Sequence, residues 1–229
     1  MKNLLFIVNA GKISPNENGG ASVYYSHLEL LYKAHYNITL LVIDWPGGLT
    51  YNKEDYDEVV CFVHSIVQLK CVSKAPQKGY KRLKNAVLFP AVFEYFFLNE
   101  TNKEKLRDIA SLHSIDIVWA EWRWAALLAW YSILKLPLVY AHHDWEYKLA
   151  RLRSKQNLLK RFHNYQKKRV EFKLVKGVTA CISGSFTEAK EIQQLSDKPA
   201  LYLPTTYASV TVDLLPNKVP NIVHLGGMG

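Results

Sequence analysis

His142, His143, Asp144 and Glu146 bring two imidazoles and two carboxylates together within five residues. Imidazole titrates near neutral pH, and a neighbouring carboxylate can fix its tautomer or balance its charge. Such a group can move protons or hold a polar, hydroxyl-rich substrate. Asp144 is also a residue type that caps helices, so capping and function are both open for it. Successive side chains of a strand point to opposite faces, so only one of His142 and His143 can face a given site. Glu121 and Arg123 follow a second apolar run, Asp116 to Ala120. Near the start, Gly19 and Gly20 stand where a loop gives way to a helix. Glycines there let a ligand approach backbone N–H groups closely, although Gly-Gly is also an ordinary turn sequence. No metal-ligand spacing occurs beyond the adjacent histidines.

These residues need a scaffold that gathers them. The run Leu136 to Ala141, which leads straight into His142, is short and fully apolar, as expected of a buried parallel strand. Ligands collect at the carboxyl ends of such strands, which is where His142 to Glu146 and Glu121 to Arg123 fall. Leu4 to Asn9 reads as the first strand. A helix from about Ala21 to His35 follows, with Val23, Tyr24, Leu28 and Leu31 turned inward. Ile38 to Ile43 and Glu58 to Val63 read as strands two and three. A helix from Thr101 to His113 precedes the strand Asp116 to Ala120, and an apolar helix then runs to Leu134. From Asp144 one long helical pattern continues to about Val175 and ends at Gly177. Val178 to Ile182 is a further strand, Ser183 to Ser185 opens a helix to Leu195, and Ala200 to Leu203 is a last short strand. This alternation predicts an α/β fold with a doubly wound, Rossmann-like parallel sheet.

The net charge of +9 is unevenly placed. Lys148 to Lys176 holds eleven Lys/Arg against one acid, and Lys70 to Lys84 holds six against none, while the rest of the chain is slightly acidic. Charge clustered in this way suits a polyanion or an anionic membrane face, or a solvated helix surface. The membrane reading singles out Lys81, Arg82 and Lys84, which precede an aromatic stretch reaching Phe97, and Lys160, Arg161, Lys167, Lys168 and Arg169. No apolar run is long enough to span a bilayer. The apolar stretch Leu4 to Val8 is too short for a signal peptide. Three cysteines without metal spacing suggest reduced thiols in a cytoplasm, and the two basic segments then suit peripheral attachment to the inner face of the cell membrane.

The carboxyl end reads differently. Residues 205–220, with two prolines, read as a linker after a first domain of residues 1–204. Residues 221–229 read as a fresh strand and glycine turn with no helix behind them, the opening of a second βα domain that is cut short.

Taken in order, several motifs resemble the amino-terminal half of a GT-B glycosyltransferase of the large retaining group called family 4. They are Gly19-Gly20 after the first strand; His143-Asp144-Trp145-Glu146, similar to that family's "HD" or "HNxE" segment; Gly177 to Ser183, similar to its "ad-x-v-t-x-x-S" strand; Leu203-Pro204-Thr205-Thr206 before the linker; and Asn221 to Gly229, similar to the start of its nucleotide-binding domain. Thr205-Thr206 departs from the usual Asn-Gly, and the family's paired glutamates of the carboxyl domain are absent. The resemblance implies transfer of a sugar from a nucleotide-sugar donor to a glycan or lipid-linked acceptor, with retention and without a metal or other cofactor. This chain would form the acceptor side and be inactive alone. In that reading His143, which precedes Asp144 as the motif requires, contacts the donor sugar or stabilises transition-state charge. Asp144 or Glu146 orients it or binds acceptor hydroxyls. Gly19, Gly20, Glu121, Arg123, His142 and Ser183 line the donor and acceptor sites.

Three rivals remain open: a GT-B nucleotide-sugar epimerase, a stand-alone binding module, and a non-enzymatic basic nucleic-acid-binding module. The last is disfavoured because the aromatics do not interleave with the main basic cluster and no nucleic-acid motif is present.

Overall fold

The computed structural model describes residues 1–17, 19–73, 97–132, 135–152 and 157–204. Seven strands form one sheet in the order β3-β2-β1-β4-β5-β6-β7, with every neighbouring pair parallel. They are β1 (Asn3–Asn9), β2 (Asn37–Asp44), β3 (Ser65–Lys70), β4 (Ile117–Glu121), β5 (Leu138–His142), β6 (Ala180–Ser183) and β7 (Ala200–Tyr202). The described helices are α1 (Gly19–Lys33), α2 (Glu100–Leu112), α3 (Trp122–Tyr131), α4 (Glu146–Leu152), α5 (Leu158–Gly177) and α6 (Phe186–Ser196). Chain order runs outward from β1 in both directions, so the carboxyl ends of β1 and β4 flank the point where the winding reverses, and a crevice opens there. The expected doubly wound, Rossmann-like α/β fold is what the chain adopts.

The central strands are apolar on both faces because helices cover both. Phe6, Leu40 and Trp119 belong to one buried cluster with Leu28 and Leu31 of α1. Leu5, Ile7, Val118, Leu138 and Tyr140 belong to the other, with Leu127 of α3 and Leu174 of α5. Thus β5 turns Ala141 toward the α1 side, while Tyr140 and His142 turn toward α5 and α6.

Two expectations about elements are corrected. Glu58 to Val63 is no strand: Lys53–Phe62 is a 3-10 helix that buries Tyr56 and Val59, three residues apart as one turn of such a helix requires. The third strand is Ser65–Lys70, whose alternating polar residues suit a sheet edge. The long helix from Asp144 is two helices. The second starts afresh at Asn157, whose side chain accepts the Lys160 N–H at 2.8 Å. Capping of α4 comes from a distance, since the Glu171 carboxylate accepts the N–H groups of Glu146 at 2.8 Å and Tyr147 at 3.4 Å.

Gly177, the last residue of α5, sits so close to Trp130 that a Cβ would lie 2.5 Å from the indole. The expectations for residues 205–220 and 221–229, and for Lys81, Arg82 and Lys84, lie outside the described residues. Among the described residues no helix is long and apolar enough to cross a membrane.

Candidate functional site

The crevice at the reversal of winding centres on Glu121, the last residue of β4, which is fully buried. Its Oε1 lies 2.7 Å from Nδ1 of His27 and accepts the Trp119 indole N–H at 2.8 Å. Its Oε2 lies 2.8 Å from Nε2 of His143. Each partner arrives by a rule of its element. Trp119 is two residues earlier on the same strand and so shares the face of Glu121. His27 is on the buried side of α1. His143 directly follows β5 and points to the α1 side, opposite to His142.

Burial alone would push the Glu121 carboxyl up, but the His27 and His143 imidazoles override it and hold it down at about 2. The carboxylate is therefore ionised at neutral pH and can only accept hydrogen bonds. Nε2 of His143 and Nδ1 of His27 must be the donors. A buried anion served by three N–H donors is a fixed, strongly polarised centre.

The ring of His143 is held on two more sides. Trp122 stacks on it at 5.0 Å and 15°, and Tyr24 meets it edge-on at 5.7 Å. Burial, and then the charge of Glu121, push the Tyr24 phenol up, so it is a neutral hydroxyl. Trp122 adopts φ 68°, a left-handed conformation unusual for a bulky residue. This turn sends Glu121 into the crevice and Arg123 to the other face of the sheet. Backbone strain of this sort costs about 1–3 kcal/mol and collects at functional sites.

A cleft of about 320 Å³ opens above this group, bordered by Gly19, Gly20, His27, Trp122, His142, His143, Asp144, Ser183 and Gly184. A Cβ at Gly19 would meet nothing within 4 Å, so the protein itself does not demand glycine there and space is left at the mouth of α1. In the loop between β1 and α1 the backbone requirement falls on Gly11 instead, with φ 146°. Asp144 is exposed on the cleft rim. Ser183 is buried and its Oγ accepts the Ser185 N–H at 3.2 Å.

Of the residues singled out from sequence, the structure therefore brings Gly19, Gly20, Glu121, His143, Asp144 and Ser183 to one cleft. The side chains of three turn elsewhere, although His142 also borders the cleft. Arg123 is buried on the opposite face, where Nη2 lies 2.9 Å from Glu146 and Nη1 lies 3.6 Å from Glu171. Glu146 is engaged there with Arg123 and with Lys167 at 3.4 Å, so the carboxylate that holds His143 is Glu121 and not Glu146. The ring of His142 packs between Tyr140 and Trp145, 3.4 Å from Glu188. Lys160, Arg161, Lys167, Lys168 and Arg169 lie along α5. Among the described residues no group of His, Cys, Asp or Glu could hold a metal ion.

No family model matches the sequence, and no curated protein matches it. Solved structures do match. UGT2 of Phytolacca americana, complexed with UDP-2fluoro-glucose and pterostilbene, superposes with a TM-score of 0.53 at 9% identity over 91% of this chain and 56% of that one. Anabaena HepE in complex with UDP-glucose gives 0.51 at 15% identity over 88% of this chain and 44% of that one. Sucrose-phosphate synthase from Thermosynechococcus elongatus gives 0.50 at 12% over 89% and 48%. At these identities the likeness is one of fold. The chain spans about half the length of the structures it matches.

His27, Trp119, Trp122 and Tyr24 were not singled out as site residues from the sequence. His27 had a signal: it lies four residues after Val23 and four before Leu31, on the face already expected to turn inward. Trp119 could have been paired with Glu121 by strand alternation.

Proposed function

We propose that this chain is the acceptor-side half of a glycosyltransferase that moves a sugar from a nucleotide-sugar to a glycan or lipid-linked acceptor. Retention at the anomeric carbon and a family 4-like relationship are part of the proposal, supported by the order of motifs from Gly19-Gly20 to Leu203-Pro204. The single observation that carries it is the buried carboxylate of Glu121 gripping His143 at the mouth of a crevice in a GT-B-like fold. Sugar transfer needs a preorganised polar group where charge develops at the anomeric centre or on an acceptor hydroxyl. An imidazole locked by a carboxylate supplies that group. The second half of the cleft, with the donor nucleotide, comes from a second domain.

His143 carries the chemistry in this proposal, Glu121 positions it, His27 shares the same anion, and Asp144 on the rim binds acceptor hydroxyls. Gly19 and Gly20 leave room for the donor phosphates at the mouth of α1. A second reading, inversion, is favoured by the hydrogen bond between His143 and Glu121: with Nε2 turned to the carboxylate, Nδ1 is the nitrogen left for a substrate proton, the arrangement of a general base. The test is to incubate the full-length polypeptide with a panel of nucleotide-sugars and acceptors, follow release of the nucleoside diphosphate, and determine the product anomer. Release that needs His143 supports the proposal and the anomer chooses between retention and inversion. No release with any donor, together with histidine resonances that UDP-sugars leave unmoved, overturns it.

A further inference from the structure

The sugar-transfer reading makes no use of the corner where α4 ends and α5 begins. Here a groove of about 280 Å³ is lined by Tyr147 and Arg151 of α4 and by Arg161, Asn164, Tyr165 and Lys168 of α5. Helical spacing puts residues 161, 164, 165 and 168 on one stripe, so two cations of α5 face the cation of α4 across the groove.

The surrounding acids are already committed. Helix α5 carries seven Lys/Arg and one acid, Glu171, which is buried against Arg123 and the first N–H groups of α4. Glu146 serves Arg123 and Lys167, and Glu191 serves Lys148. Among the described residues no carboxylate lies within ion-pair distance of Arg151, Arg161 or Lys168. Lys168 rests instead on the rings of Tyr147 and Phe172, at 5.6 and 5.0 Å. Three converging cations that have no counter-ion among the described residues, with two phenols beside them, form a donor set for a phosphate group.

The rim says where that phosphate comes from. Leu152 and Leu158 are each 83% exposed at this corner, and Phe162, one residue beyond Arg161, is 39% exposed. A free phosphate ion has no use for exposed leucines around its site. A phospholipid surface satisfies both, since the headgroup meets the cations while the apolar side chains enter the interface. We propose that the α4–α5 groove binds the phosphate of an anionic phospholipid headgroup and so docks this face of the chain on a membrane. This goes beyond the transferase reading and does not depend on it.

The test is sedimentation of the whole chain with vesicles of phosphatidylcholine alone or mixed with phosphatidylglycerol. Each cation at an anionic surface is worth about five-fold in partitioning, so Arg151→Gln, Arg161→Gln and Lys168→Gln together lower binding to the mixed vesicles by about a hundred-fold. Lys173→Gln, Lys176→Gln and Lys190→Gln remove the same charge outside the groove, and this control loses less than about five-fold. Leu152→Ser with Phe162→Ser weakens vesicle binding while leaving the charge intact. Equal losses in the two triple variants reduce the effect to diffuse charge and overturn the proposal, as does equal binding to neutral vesicles. Saturable binding of inorganic phosphate by the groove without any vesicle binding assigns the site to a soluble phosphate and overturns the lipid assignment.

Discussion

Glu121 Oε2 lies 2.8 Å from His143 Nε2, and this hydrogen bond joins the carboxyl ends of two adjacent strands through one buried anion. The same carboxylate holds His27 of α1. Three of the elements that wall the crevice are thus tied to a single group.

Replacing Glu121 with Gln therefore acts on two levels. The amide keeps the volume but removes the charge that fixes both imidazole tautomers. On the proposed sugar-transfer function, activity of the full-length polypeptide falls about 100-fold or more in kcat, with a smaller change in KM, since positioning and not binding is lost. The pH dependence follows from the depressed pKa. A carboxyl at about 2 when folded, against an ordinary 4.5, contributes stability above the ordinary value that is lost as pH falls from 4.5 toward 2. The loss is on the order of 3 kcal/mol. Urea unfolding of wild type and Glu121→Gln across that window checks it: the acid-side decline is shallower in the variant.

Glu171 predicts the opposite slope at a higher pH. Burial raises its carboxyl to about 7, against the opposing pull of Arg123. A raised acid favours the protonated folded state, so its ionisation costs stability as pH rises from 4.5 through 7. The cost is on the order of 3 kcal/mol. Glu171→Gln keeps an oxygen for the N–H groups of Glu146 and Tyr147 and removes the titration. Stability measured from pH 5 to 8 declines less in this variant than in wild type; parallel curves refute the assignment.

How much of this could be read from the chain depended on the range of the interaction. The buried strands were legible because apolar runs such as Leu4 to Val8 and Leu138 to Ala141 have no other use in a chain of this composition. The cleft was legible in part, since His143 and Glu121 both end such runs. Their pairing was not, because the neighbouring carboxylates Asp144 and Glu146 are closer in sequence than a residue on the next strand. Strand β3 was hidden by Gln68 and Lys70, which an edge strand tolerates and a central one does not. The split between α4 and α5 was hidden because the cap on α4 comes from Glu171, which leaves no local signature at the helix it serves.

Gly177 sets two effects against each other. Alanine at a helix end gains at most about 1 kcal/mol in propensity. Its Cβ would lie 2.5 Å from the Trp130 ring, which Lys173 covers from 5.6 Å, and forcing that packing apart costs about 1–3 kcal/mol. The collision wins, so Gly177→Ala lowers the melting temperature, and Gly177→Ala with Trp130→Leu recovers part of the loss. A melting temperature raised by the single change would show that Trp130 moves aside freely.

The two adjacent histidines give the sharpest contrast. The side chain of His142 is fully buried, and among the described residues neither ring nitrogen has a hydrogen-bond partner; its nearest charge is Glu188 Oε2 at 3.4 Å. What it does have is aromatic contact, with Trp145 at 4.6 Å and Tyr140 at 5.7 Å. A buried polar group without a partner costs stability, so an apolar ring of similar shape in its place is close to neutral. His142→Phe therefore changes unfolding free energy by less than about 1 kcal/mol and leaves the proposed transfer intact. His143→Phe keeps the stack on Trp122 but strips Glu121 of a donor and removes the polar group at the cleft, so the proposed transfer is lost while the fold survives. Activity that depended on His142 instead, measured with both variants under saturating donor, would move the chemistry to the opposite face of the sheet and reverse the assignment of Glu121.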